Sequence, residues 1–128
     1  MLMLISPAKA LDMTSPAPVA AATECDFLDQ SQQLIDELRG LSVEDVSQLM
    51  DLSAKLSELN VQRYRDFQLP FSAANAKQAV FAFNGDVYEG LSANTLTVSQ
   101  IHWLQDHLRI LSGLYGLLRP LDTCNPIA

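Results

Sequence analysis

The 128-residue sequence predicts a helix-rich α/β mixture (α+β), with a few short buried strands wrapped by helices. Three observations predict it. Short apolar runs bounded by turn residues occur at residues 1–5 and 80–83, the length and flanks expected of buried strands. Polar caps precede several segments whose apolar residues recur at helical spacing. A hydrophobic fraction of 48% beside a charged fraction of 18% describes a globular chain able to bury a core. About three strands are visible, too few for a large sheet.

The elements follow in order. Residues 1–5 form an apolar strand closed by Ser6-Pro7. Residues 11–23 carry Pro16, Pro18 and many small residues, the composition of a surface connection. A helix starts near Asp26, with Phe27, Leu34, Ile35 and Leu38 as its apolar stripe and Gly40 as its stop. Ser42-Val43-Glu44-Asp45 is a capping box with Asp in the acidic position, and Val46, Leu49 and Met50 then face inward. Ser53 caps a further helix in which Leu56, Leu59 and Tyr64 share helical spacing, ending near Leu69-Pro70. Ser72 caps another through Gln78, and Val80-Phe81-Ala82-Phe83 reads as a buried strand closed by Asn84-Gly85. Asn84-Gly85 also signals a hairpin, but Val87-Tyr88-Glu89-Gly90-Leu91 alternates poorly as a return strand. Thr97-Val98-Ser99-Gln100 is a second capping box. The helix it opens gives way to a strand before Gly113.

The formal charge of -7 opposes broad attraction to nucleic acid or to an anionic membrane surface. No apolar run is long enough to span a bilayer, and the N-terminus lacks a secretory pattern, so the expected compartment is the cytoplasm. Cys25 and Cys124 have no close-spaced partner and read as reduced thiols, with neither a disulfide nor a metal site implied. His102 and His107 are five apart on a helix and do not share a face as a metal pair would. No phosphate-binding loop and no Gly-x-Ser-x-Gly elbow is present, so no cofactor and no nucleophile follow from motifs. Arg63-Tyr64-Arg65 reads as a solvated helix face.

Three segments carry polar groups beside apolar runs. Ser6-Pro7-Ala8-Lys9 puts a lysine at a strand end, where α/β folds form ligand clefts. The alternative is a solvated lysine after a turn. Asn84-Gly85-Asp86-Val87-Tyr88 repeats the layout: Asp86 is placed to cap a following helix, and Tyr88 to pack with its hydroxyl free. The third is Leu111-Ser112-Gly113-Leu114-Tyr115-Gly116-Leu117-Leu118-Arg119-Pro120-Leu121-Asp122, which admits three readings. It is a bent strand and turn aiming Arg119 into a cleft. Or it is a helix-hairpin-helix whose glycine turn meets a phosphate, although the glycine spacing and Pro120 depart from that pattern. Or it is plain packing, with Arg119 paired to Asp122 or Asp86.

Together the three segments resemble the N-terminal half of the peroxide stress protein YaaA family. The resemblance covers essentially the whole chain. It implies that residues 1–128 are a single N-terminal portion of such a domain, incomplete relative to the full family fold, with a second half of similar length beyond. It implies a cytosolic bacterial protein that helps cells withstand hydrogen peroxide, associated with DNA and with limiting free iron, on a sheet-based fold with a positively charged cleft. No reaction comes with the family. The candidate ligand- or DNA-binding residues are Ser6, Lys9, Asn84, Asp86, Tyr88, Ser112, Gly113, Tyr115, Gly116 and Arg119. No residue is assigned a catalytic or metal-binding role, and nothing fixes an oligomeric state. The eight cations are scattered along an acidic chain, so DNA contact is expected mainly through the second half. The competing expectation is an anion-binding protein or enzyme whose cleft uses Lys9 and Arg119.

Overall fold

The computed structural model describes residues 1–8, 10–72 and 75–125. At its centre β1 (Met3–Ile5) runs parallel to β5 (Leu108–Ser112), and β5 turns back antiparallel into β6 (Gly116–Leu118). Register pairs Ile5 with Ile110 and Ile110 with Leu118, which puts these side chains on one face. Ile110 and Leu118 are fully buried there. Two smaller antiparallel pairs flank this sheet. β2 (Ala10–Leu11) pairs with β4 (Phe83–Asn84), and β3 (Lys77–Gln78) pairs with β7 (Thr123–Cys124).

The helices form where caps and periodicity direct them. α1 (Leu28–Leu38) buries Leu28, Ser31 and Ile35, and the Ser31 hydroxyl donates to the Leu114 carbonyl, tying the helix to the β5–β6 turn. α2 (Val43–Met50) opens on the Ser42–Asp45 capping box, with both reciprocal bonds made. α3 (Ala54–Asp66) is capped by Ser53. Its last carbonyls are met by Arg39, which donates to the Tyr64 carbonyl at 2.8 Å and the Phe67 carbonyl at 2.6 Å. A cation suits the negative end of the helix dipole. α4 (Ala79–Ala82) is a single turn, and α5 (Asp86–Leu91) leads into a 3-10 turn, Ala93–Thr95. α6 (Val98–His107) opens on the Thr97–Gln100 box.

Two cores result. The larger gathers Ile35, Val46, Val61, Tyr64, Phe67, Phe83, Tyr88, Ile110, Tyr115 and Leu118. The smaller joins Val80, Phe81, Ala93, Ile101 and Leu121. Each fully buried aliphatic side chain contributes about 1.5–3 kcal/mol.

Six sequence expectations need correction. The N-terminal strand forms but is not buried: Met3 and Leu4 are exposed and Ile5 is half-buried, because β1 lies at the edge of the sheet with β5 on one side only. Of the apolar stripe expected on α1, Phe27 and Leu34 are exposed. Residues 80–83 are mostly a helical turn, and only Phe83–Asn84 pair as a strand. A short run buried on all sides has no periodicity to separate strand from helix. Its Ala79 and Val80 amides donate to the Asp122 and Pro120 carbonyls, and that tertiary pairing selects the turn. Of the helix expected from Ser72 through Gln78, the described residues 75–78 are not helical, and Lys77 and Gln78 are strand residues, because Cys124 and Thr123 pair with them. On α2 Leu49 is exposed. On α3 the buried face runs through Ser57, Asn60, Val61 and Tyr64, leaving Leu56 and Leu59 outside. Ser57 and Asn60 are tolerated inside because each side chain bonds a carbonyl one turn back, Ser53 and Leu56 respectively.

Candidate functional site

The first two polar segments meet. β2 pairs Ala10 with Asn84, and Gly85 packs so closely on the Ala8 side chain that an added Cβ would lie 3.3 Å from it. Asp86 stands exposed in the first turn of α5, where a carboxylate favours the helix N-terminus; Gly85, not Asp86, occupies the cap position. Tyr88 points inward, and its hydroxyl is not free. It donates to the Ser6 carbonyl at 2.6 Å, joining α5 to the end of β1. Burial, and then the charge of Cys124, push the Tyr88 phenol up to about 12, so it stays protonated as a donor. Lys9 lies outside the described residues.

Beside this junction opens a cleft of about 410 Å³, walled by Asp12, Lys77, Phe83, Asn84, Tyr88 and Glu89 among others. Lys77 was not among the expected site residues. It is buried, and its ammonium donates to the Asp12 carbonyl at 2.9 Å and the Ser15 carbonyl at 2.7 Å. The Asp12 carboxylate is 4.0 Å away. Ser15, through its amide and then its hydroxyl, holds the Asp12 carboxyl down at about 2. A lysine entering an apolar run, as in Lys77-Gln78-Ala79-Val80-Phe81, is the sequence signal for such a buried stem. The cleft therefore mixes a pinned cation, carboxylates, an amide and a phenol, which suits recognition of a polar ligand.

The third segment is a β-hairpin. Residues 108–112 and 116–118 pair as strands across a turn at residues 113–115. This replaces the helix-hairpin-helix reading, because strands flank the glycines. Ser112 accepts a hydrogen bond from the Tyr115 amide at 3.0 Å and so builds the turn. Gly116 has φ +74, the left-handed region that glycine enters freely, and the Phe27 ring sits against it. Gly113 has open space around it. Tyr115 is fully buried and its oxygen accepts the Asn125 amide at 3.1 Å. Burial raises its pKa far above the ordinary phenol range.

Arg119 follows the hairpin and turns to acids rather than to the cleft. Its Nε donates to Asp122 Oδ1 at 3.1 Å, and its Nη2 lies 3.1 Å from the same oxygen. Nη2 also donates to the Glu24 carbonyl at 2.8 Å and lies 3.6 Å from Asp26. Burial lowers the guanidinium pKa, but Asp122 and Asp26 outweigh it and the net direction is upward. Asp122 is fully buried and also accepts from the Thr23 hydroxyl and the Arg119 amide. Gln105 completes the knot: its side chain donates to Thr23 Oγ1 and accepts from the Leu121 amide. This is the pairing with Asp122 that the packing alternative named.

Cys25 and Cys124 are both buried free thiols, each pushed up to about 12, first by burial. Among the described residues no group of His, Cys, Asp and Glu is arranged to hold a metal ion, and no helix is long and apolar enough to cross a membrane.

The family model described as peroxide stress protein YaaA matches residues 1–126. A UPF0246 protein of Cellvibrio japonicus (strain Ueda107) is 57% identical over 126 residues, covering 98% of this chain and 49% of its own length. One of Azoarcus sp. (strain BH72) is also 57% identical, over 98% of this chain and 48% of its own. One of Burkholderia ambifaria (strain MC40-6) is 54% identical with the same coverage. The chain thus spans about half the length of the curated relatives it matches. With the fold, the joined segments and this match in hand, the chain belongs to the peroxide stress protein YaaA family.

Proposed function

We propose that this chain is the N-terminal part of a cytoplasmic, DNA-associated peroxide stress protein that limits free iron, and that its DNA contact lies in the second half of the fold. Family membership supports the stress role. The observation that carries the division of labour is the use of the cations. Arg119 is bonded to Asp122, Lys77 to the carbonyls of residues 12 and 15, and Arg39 to the end of α3. Arg109 donates to the Gln105 and Leu108 carbonyls. Four of the eight cations are thus held by groups of this chain, which leaves fewer to displace counterions from a phosphate backbone, and the chain is net -7.

The test is a mobility-shift titration at low salt, comparing this chain with the full-length Cellvibrio japonicus relative. The chain should bind more weakly by a factor on the order of ten or more, given the steep dependence of affinity on phosphate contacts. Equal affinity would overturn the division. Deleting the gene for such a relative should raise chelatable iron and sensitivity to peroxide, and unchanged values would overturn the stress and iron reading.

A second reading, an anion-binding protein or enzyme, is favoured by one observation, the polar cleft against Tyr88. Arg119 does not line that cleft. Thermal shift against phosphate and short carboxylates tests it: stabilisation lost on Asn84→Ala supports it, and no shift at millimolar ligand removes it.

A further inference from the structure

The second face of the central sheet carries exposed leucines beside one cation, Arg109. Leu4 pairs with Arg109 and Leu111 pairs with Leu117, so these side chains lie on the face opposite Ile5, Ile110 and Leu118. Leu4 is 55% exposed, Leu111 47% and Leu117 40%. The face continues into an open apolar groove of about 700 Å³, whose far wall is Phe27 and Leu34 of the α1 segment. A pair of parallel strands such as β1 and β5 ordinarily lies in a sheet covered on both faces. A contiguous patch of this kind marks an interface.

We propose that this face, from Leu4 across Leu111 and Leu117 to Phe27 and Leu34, is the docking surface for the second half of the family fold. Three observations select that occupant. Relatives as much as 57% identical here carry about as many residues again beyond the matched region. The described elements leave Leu4, Leu111 and Leu117 at 40–55% exposure on this face, where a parallel pair ordinarily has a covering layer. A second copy of this chain would bring a second charge of -7 to the interface, which opposes self-association. This proposal does not depend on DNA or iron.

The test uses maleimide labelling. Leu111→Cys and Leu117→Cys are made in the 128-residue chain, with Glu44→Cys on α2 as control. Both native thiols are buried. The same substitutions are made at the matching positions of the full-length Cellvibrio japonicus relative, and labelling is read at each position by peptide mass spectrometry. Labelling at 111 and 117 should be slower in the full-length protein by a factor on the order of ten or more, since a covered thiol reacts only through local opening. Labelling at 44 should be equal in both. Equal reactivity at 111 and 117 in the two proteins, or protection of both in the 128-residue chain by a homodimer seen in sedimentation, would overturn the proposal.

Discussion

Replacing Arg119 with alanine should destabilise the chain by about 3 kcal/mol. The charge-assisted bonds from its fork to Asp122 are worth about 1.5–3 kcal/mol together, and the bond to the Glu24 carbonyl adds about 1. The Asp26 pair, 3.6 Å apart with Asp26 62% exposed, adds little. Asp122 keeps the Thr23 hydroxyl and the Arg119 amide as donors, so the cost falls short of a buried carboxylate stranded with nothing. In a chain of this size that loss corresponds to a fall in Tm of about 10 °C. Urea unfolding followed by circular dichroism, with thermal melts alongside, measures it. Arg119→Lys keeps the charge but cannot reach Asp122 and the Glu24 carbonyl with one planar group, so it should recover only part of the loss. If Arg119→Ala costs less than about 1 kcal/mol, the knot does not hold residues 119–123 in place and the ion-pair reasoning fails.

Three further outcomes are expected. Gly116→Ala should cost about 1–2 kcal/mol, since it places a Cβ at φ +74 and 3.1 Å from the Phe27 ring; a neutral result in urea unfolding would refute the strain. Asp12, held at about 2 against an ordinary 3.8, contributes stability that is present above pH 3.8 and lost as pH falls towards 2. Its carboxyl resonance in an NMR titration should report that low midpoint, and a midpoint near 4 would refute the Ser15 account. Cys25 and Cys124 are buried, and burial raises both thiols, so Ellman's reagent should label neither until denaturant is added; rapid labelling of the native chain would contradict the burial.

The legible parts of the sequence were those whose signal is local. The Ser42 and Thr97 boxes and the change from helix to strand before Gly113 rest on near neighbours, and the N-terminal strand was readable from its apolar run and the Ser6-Pro7 stop, although its partner is distant and its exposure was not foreseen. Residues 80–83 were illegible because their conformation is fixed by carbonyls of residues 120 and 122. The inward side of α3 was misplaced because Ser57 and Asn60 hide their polarity in bonds to the preceding turn, while leucines stand outside. In the candidate site, the meeting of Ser6 with Tyr88 followed the expected strand ends, but the joining bond uses a backbone carbonyl that no residue type announces. Lys77 was missed because its one signal, a lysine entering an apolar run, does not show which carbonyls will pin it, and those belong to residues 12 and 15.

The pairing of β1 with β5 joins residues more than a hundred positions apart, Met3 with Leu108. During synthesis the apolar opening strand therefore emerges first and waits for its partner. Until residues 108–110 have been made it is an unpaired, hydrophobic strand in an unfinished chain, the kind of segment that strays into other chains. Closing so wide a loop slows folding relative to the helices, which rely on near neighbours. The α2–α3 hairpin can form as soon as it clears the ribosome, whereas the sheet must wait for residues 108–118. Whatever shields the first five residues in the meantime, a chaperone or the growing chain itself, governs how much of the protein reaches its native state.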